Sequence, residues 1–322
     1  MKGTYTVQVR SKKLQFSLEL ERNLTVIRGD SGTGKTTLIG MLQDYEALGP
    51  QSGVSVSCAK PCRVLEGPDW ETRLAGIRDS IVFIDEGNAF MHSQKFAHAI
   101  RKTDNYYVLI TRENLYQLPY SVESVLTLKN TTSRKKRTYN KAYPYYKTVR
   151  SIPETLSASD RIVTEDSNAG FQMFSHLAAL HNTTCVCALG KSNIYRQLES
   201  TPDVRTIVVA DGAAFGADME KVYQFQQRHP QHVTLYLPES FEWLLLKAGV
   251  IFSPELKDIL AHPSDYIDPT VYFSWEQYFT ALLILLTGDI PYMKYSKLSL
   301  PDFYLQPKIV QRVLDTIEGR SE

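Results

Sequence analysis

The chain has 322 residues, more than one ordinary core of about 100–200 residues, so two domains or a domain with a large appendage are expected. A hydrophobic fraction of 43% with 22% charged residues excludes a disordered chain. Thirty-six Lys and Arg against 35 Asp and Glu leave a net charge of +1, which excludes a uniformly basic nucleic-acid coat and a strongly acidic protein but leaves local patches open.

The opening residues alternate, with Tyr5, Val7 and Val9 followed by Leu14, Phe16, Leu18 and Leu20. A period of two predicts antiparallel strands. Residues 24–27 read as a buried strand and 35–47 as a helix stopped by Gly49. Short strands are expected around Val54, Val56 and Val64, and a second buried strand over 80–86. A helix near 93–101, a strand from Tyr106 and two arms of a hairpin up to Tyr146 follow. The Ser-, Pro- and Thr-containing stretch 151–159 is read as a linker, which makes 1–150 a first domain.

Beyond the linker, strands over 161–164, 185–189, 205–211 and 233–238 alternate with helices over 168–180, 193–198, 218–227 and 241–247. That alternation predicts parallel βαβ units in a domain spanning 160–250. Residues 251–322 read as a helical segment. Ser274 and Gln277 form a capping box there, and Pro307 and Gly319 bracket the last helix. The fold class expected is therefore α/β: an N-terminal domain with antiparallel opening strands, a doubly wound α/β domain and a helical tail.

The N-terminus lacks a continuous apolar run, so no signal peptide is expected. The longest strongly apolar stretch, 281–286, falls far short of the roughly 20 residues that span a bilayer. The four cysteines, Cys58, Cys62, Cys185 and Cys187, form no CxxC pair and no zinc-spaced cluster. Cys185 and Cys187 are expected as buried thiols on a strand. A reducing, cytoplasmic setting without a membrane fits this usage.

Gly29-Asp30-Ser31-Gly32-Thr33-Gly34-Lys35-Thr36 fits G-x-x-x-x-G-K-[ST] at every fixed position, leaves an apolar strand and opens a helix. Such a loop turns backbone N–H groups onto phosphate oxygens, and the helix N-terminus favours negative charge. Lys35 is expected on the β- and γ-phosphates, the Thr36 hydroxyl on Mg²⁺, and Thr37 beside them. Asp85 and Glu86 end the apolar strand 81–84; Asp85 would hold Mg²⁺ and Glu86 would polarise the attacking water. Thr111 and Arg112, at the end of the next strand, are candidate sensors of the γ-phosphate. With these motifs the first domain resembles a minimal P-loop ATPase of the broad ABC-like and AAA-like group. Only fifty positions separate Lys35 from Asp85, no LSGGQ-like signature lies between them, and no N/T-K-x-D motif reads guanine. The resemblance implies ATP and Mg²⁺ as ligands, and a homo-oligomer is consistent with sites that complete at subunit interfaces.

No Asp or Glu occurs between Ser124 and Pro153, a stretch that holds Lys129, Arg134, Lys135, Lys136, Arg137, Lys141, Lys147 and Arg150 with Tyr139, Tyr143, Tyr145 and Tyr146 interleaved. Cations neutralise phosphates and aromatic faces stack on bases, so nucleic acid or an acidic protein is the partner expected, with Arg134 to Arg137 as the contact. The alternative is a solvated hairpin.

Glu165 follows the strand RIVT, and Asp211 follows TIVVA. Carboxylates at the ends of neighbouring parallel strands are candidates for a second Mg²⁺ site. Together with TEDSNAG, ADGAAFGAD and PESFEWLLL, which contains Glu242, this order resembles a Toprim domain over roughly 160–250. Ala213 stands where that family has the second acid of D-x-D, Asp166 stands where it has Gly, and Asp218 follows seven positions after Asp211. The two halves together resemble the ATPase–Toprim proteins of the OLD family and of phage defence. The resemblance implies an ATPase whose nucleotide state controls a Toprim-like domain acting on or binding nucleic acid. Two alternatives are an ATP-driven switch or assembly protein with an inactive second domain, and a phage-type motor, since VFIDEGNAF resembles the second motif of phage assembly ATPases.

Overall fold

Strand β3 (Leu24–Arg28) is buried along its whole length, as are β6 (Ile81–Ile84) and β7 (Tyr106–Ile110). Continuous burial of this kind marks parallel strands covered on both faces. A computed structural model describes residues 1–30, 32–132, 138–147 and 159–320. Among these, β3, β6 and β7 join β1 (Tyr5–Arg10), β2 (Leu14–Leu20), β4 (Ser55–Ser57), β5 (Cys62–Val64), β8 (Val125–Thr132) and β9 (Thr138–Pro144) in a nine-stranded sheet ordered β4-β1-β2-β9-β8-β3-β7-β6-β5. The sheet is mixed: β8, β3, β7, β6 and β5 run parallel, while β1 pairs antiparallel with β2 and β4, and β8 with β9.

A flat sheet of this order would separate its outermost strands by roughly 38 Å. The chain passes between those strands, from Ser57 to Cys62, in five residue steps, which span about 17 Å at most. The sheet must therefore curl. Helix α1 (Lys35–Leu48) lies in the curl and buries Leu38, Ile39, Met41 and Leu42 against Val7, Val9, Phe16, Ile27, Phe83, Val108 and Ile110, residues drawn from both ends of the strand order. α2 (Trp70–Ala75), which periodicity does not reveal, is anchored by Trp70 stacking on Phe90 at 5.0 Å and meeting Phe96 of α3 (Gln94–Ile100) edge-on.

The second sheet is parallel throughout: β10 (Arg161–Thr164), β11 (Thr184–Cys187), β12 (Thr206–Val209) and β13 (Val233–Tyr236) in the order β11-β10-β12-β13. Helices α4 (Ala169–Leu180), α5 (Lys191–Glu199), α6 (Met219–Arg228) and α7 (Phe241–Lys247) connect or follow the strands, as the alternation predicts. Cys185 and Cys187 lie on β11 as expected, but they are half-buried because β11 is an edge strand.

The chain divides into two units, 1–146 with 262–273, and 147–261 with 274–322. The helical segment expected over 251–322 is thus shared. α9 (Pro263–Tyr266) belongs to the first unit, whereas α8 (Leu256–Ala261), α10 (Trp275–Thr287) and α11 (Pro307–Ile317) belong to the second. The capping box of Ser274 and Gln277 opens α10 as predicted. Most of the linker expected over 151–159, and the basic residues Arg134 to Arg137, lie outside the described residues. No helix among the described residues is long and apolar enough to cross a membrane.

Gly212, just past β12, donates its N–H to Pro238 O at 2.6 Å, and a Cβ there would lie 2.6 Å from Leu237 O. No side-chain rotation relieves a clash with backbone, so Gly212→Ala is expected to destabilise the second unit by about 1–3 kcal/mol in urea unfolding.

Candidate functional sites at the strand ends

Ligands of open parallel sheets bind outside the carboxyl ends of the strands. In the first sheet β7 lies between β3 and β6. The loop after β3, the pair Asp85–Glu86 after β6 and the pair Thr111–Arg112 after β7 therefore emerge side by side. The loop geometry explains its glycines. Gly29 and Gly34 sit at φ 131° and 93°, a region that side chains rarely adopt. A Cβ on Gly34 would also press the Phe16 ring at 3.2 Å. Ser31 lies outside the described residues.

Gly34 caps α1 without a side chain, so the amides of Lys35, Thr36 and Thr37 open the helix. The Lys35 ammonium is buried inside the loop and donates to Gly29 O and Asp30 O, each at 2.7 Å, and to Thr33 Oγ1 at 3.1 Å. Burial lowers its pKa, as does the nearby Arg112 guanidinium, against the carboxylates of Glu86, Asp30 and Asp85. Every charged member of the three sequence motifs thus lies within electrostatic reach of Lys35.

Thr36 and Asp85 line one groove, with Gln43, Glu66, Arg73 and Asn88. Gln43 Nε2 donates to Glu66 Oε2 at 2.7 Å, and Asn88 Nδ2 donates to Asp85 O at 3.1 Å. Sequence reasoning assigned no role to these four residues: Gln43, Glu66 and Arg73 belong to no motif, and Asn88 lies within VFIDEGNAF but at no fixed position. Glu86 is exposed beside Arg112, its Oε2 3.4 Å from Arg112 Nε. Thr111 is buried, and its hydroxyl accepts from the Glu113 N–H at 3.0 Å, so it braces the turn that carries Arg112. Arg28, also missed, ends β3 as a buried guanidinium. It donates to Glu113 O and to the Asn114 side chain and so ties that turn to the root of the loop. A threonine hydroxyl and one carboxylate in a groove are hard oxygen donors that fit Mg²⁺, whose remaining ligands are commonly phosphate oxygens and waters.

In the second sheet the strand order 2-1-3-4 reverses between β10 and β12, the switch point at which such folds form a crevice. Glu165 and Asp211 emerge there from adjacent, paired strands and line one cleft with Asp166, Glu242, Tyr295 and Lys297. The Asp211 N–H donates to Glu165, while Asp211 Oδ1 accepts from the Phe241 N–H at 3.1 Å. Tyr295 donates its phenolic proton to the buried Glu242 at 2.8 Å. Lys297 Nζ lies 2.6 Å from Glu276 Oε1. Burial pushes the Glu165 carboxyl up to about 7; Glu276 and Asp166 add to this, and Lys191 opposes it. Burial, followed by Glu276, Glu242 and Glu165, holds Asp211 well above the usual carboxylate range. Lys297 is raised despite burial, because Glu276, Glu242 and Asp211 surround it.

Asp218 does not join this cleft. It is buried beside Ser192, whose hydroxyl donates to it at 2.8 Å, and 3.9 Å from Lys191. Asp166 accepts from the Asn168 N–H and shapes the entry to α4. Among the described residues no group of three or more His, Cys, Asp or Glu is placed to hold a metal ion. Glu165 and Asp211, each accepting a backbone N–H, do not complete such a site between them.

Searches against protein-family models, curated proteins and solved structures find no match for this chain.

Folding leaves a proton on Glu165 that the unfolded chain releases above pH 4.5. The stability that Glu165 contributes is therefore full below that pH and is lost as pH rises through about 7, because the folded state binds the extra proton. Glu165→Gln should flatten this decline and raise stability at pH 8 by at most about 3 kcal/mol, measured by urea unfolding at pH 5, 6.5 and 8.

Proposed function

We propose that the first unit is a P-loop ATPase and that its nucleotide state governs a Toprim-like second unit that acts on or binds nucleic acid. The observation that carries the reading is the convergence of the glycine loop, Asp85–Glu86 and Arg112 at the carboxyl ends of three adjacent parallel strands around Lys35. ATP is preferred over GTP because no guanine-reading motif occurs.

In this reading the loop amides and the first turn of α1 cradle the phosphates, and Lys35 shifts its hydrogen bonds from loop carbonyls to the β- and γ-phosphate oxygens. Thr36 and Asp85 would hold Mg²⁺, which supplies charge neutralisation at the β- and γ-phosphates when bound. Glu86 accepts a proton from water as the water oxygen bonds to the γ-phosphorus and the bridging bond to the β-phosphate breaks. Arg112, already beside Glu86, is placed to meet the negative charge that shifts toward the leaving oxygen. Lys35→Ala is expected to abolish ATP binding in a titration with a fluorescent analogue. Glu86→Gln should keep binding and lower turnover by about 10²–10⁴ in a phosphate-release assay. Undiminished binding by the first variant would sink the reading.

The β8–β9 hairpin supports the nucleic-acid part. Lys129 and Lys141 are directly opposed across the strands, and both ammonium groups lie over the Tyr143 ring, at 5.5 and 5.8 Å from its centre. Tyr139, Tyr143 and Tyr145 are exposed there. Like charges facing each other disfavour the pair, and a phosphate between them reverses that cost. Replacing both lysines by alanine should lower the salt slope of single-stranded DNA or RNA affinity by about 1.4. An unchanged slope would count against phosphate contact.

One observation favours the alternative of a second unit that binds without cleaving. The charge facing its carboxylates is a lysine of the same chain, and among the described residues no group of three or more acidic, His or Cys side chains completes a metal site.

A further inference from the structure

The cleft at the switch point of the second sheet has a cation built into the chain. Lys297 belongs to no sequence motif, yet its position is closely determined. The segment that carries it is strapped to α4 by three hydrogen bonds. The Ala169 N–H donates to Lys297 O at 2.9 Å, Gln172 Nε2 donates to Leu298 O at 3.1 Å, and the Leu300 N–H donates to Gln172 Oε1 at 2.9 Å. The first of these bonds caps the opening turn of α4 with the backbone of Lys297 itself, because Asn168 offers no side-chain cap. Just before the strap, the Tyr295 N–H donates to Thr287 Oγ1 at 3.0 Å, and the Tyr295 hydroxyl donates to Glu242. The backbone on both sides of Lys297 is thus fixed, and its side chain enters the cleft as a lining residue.

What it meets there is acidic from every side. Glu276 comes from α10 and bonds Nζ at 2.6 Å. Glu242 comes from α7 and Asp211 from the end of β12, and both act on Lys297 electrostatically. Glu165, just past the end of β10, faces Lys191 at the start of α5, whose Nζ is itself engaged with Ala214 O at 2.8 Å. A divalent ion entering this cleft would meet a fixed ammonium already paired with one of the carboxylates it needs. Repulsion between two cations a few ångströms apart is large in a site shielded from water.

We propose that Lys297 is the resident cation of the second unit's cleft, occupying the electrostatic role of a divalent metal, so that the cleft takes no Mg²⁺ or Mn²⁺ while Lys297 is present. The proposal rests on the Toprim-like reading only in fixing where a metal would be sought. It assigns the strap a function beyond packing: it holds a charge in the cleft and makes the site metal-independent. Loss of that charge would leave Glu165 and Asp211, with waters as the remaining ligands, open to a divalent cation.

The test is Mn²⁺ binding to the full chain without nucleotide, followed by the loss of the free-ion electron paramagnetic resonance signal. Wild type should show no Mn²⁺ site that depends on Asp211. Lys297→Met, which keeps the length of the side chain and removes the charge, should gain one site at least about tenfold tighter than any in wild type. That site should vanish in Lys297→Met combined with Asp211→Asn and be absent from Lys297→Arg. A wild-type Mn²⁺ site abolished by Asp211→Asn overturns the proposal without recourse to any Lys297 variant. A folded Lys297→Met chain, melting as wild type does by circular dichroism, that gains no site also overturns it. ATP binding at Lys35 enters neither outcome, so failure here is distinct from failure of the ATPase reading.

Discussion

The enclosure of α1 by a sheet that must curl is the constraint on which the first unit depends. Leu38, Ile39 and Leu42 are buried on one side of this helix, while Lys35, at its first turn, is held by the loop that enters it. Burying a leucine or isoleucine side chain is worth about 1.5–3 kcal/mol, so these three hold the helix against the sheet. The consequence is positional. Because α1 cannot rotate without exposing those residues, Thr36 is fixed facing the Asp85 groove. Gly34 must be small where the chain passes the Phe16 ring, so a core residue of β2 also dictates the loop. The antiparallel opening strands, which carry no chemistry, thereby act on the site through packing.

The two sheets solve the same electrostatic problem in opposite ways. Parallel strands deliver their loops to one end, and helices that begin there contribute partial positive charge. In the first unit a lysine is tucked against carbonyl oxygens, which are dipoles, and the acids stand around it at a distance. Neutral partners are weak competitors for an ammonium, so Lys35 is available to an anion. In the second unit a lysine is paired with a full carboxylate at 2.6 Å and has two more acids around it. Such a lysine is committed to its own chain. The contrast is between a lysine held by dipoles, which an anion could displace, and a lysine held by a carboxylate of its own chain.

The parts of this architecture legible in the sequence are those written locally. Alternation gave β1 and β2, the apolar runs gave β3, β6 and β7, and S-x-x-Q gave the start of α10, because each signal acts within a few residues. The glycine loop was legible for the same reason. α2 was not, because its stability comes from Trp70 stacking on Phe90, a contact across twenty residues with no periodicity of its own. The groove residues Gln43, Glu66 and Asn88 and the cleft residues Glu276, Tyr295 and Lys297 were equally invisible. The cleft residues, like Glu66 in the groove, reach their site from parts of the chain distant from its motif residues, whereas Gln43 and Asn88 lie near Thr36 and Asp85 in sequence but at no fixed motif position. Asp218 shows the converse. It lies seven positions from Asp211, but one helix start is enough to turn it toward Ser192 instead.

The near-zero net charge is a product of the same segregation. The segments that follow the strands at the first site carry Lys35 and Arg112 against Asp30, Asp85 and Glu86, and the cleft of the second unit holds more acids than bases. The hairpin then carries the compensating excess, with Lys129 facing Lys141 and no acid within its sequence. A chain under no constraint but solubility would intersperse these charges, since opposed pairs across a hairpin stabilise it and like pairs do the reverse. Here the like pair sits over an aromatic ring, whose face offsets part of the repulsion without neutralising either ammonium. Among the described residues neither ammonium is paired with a carboxylate, so an external anion placed between them would relieve their repulsion.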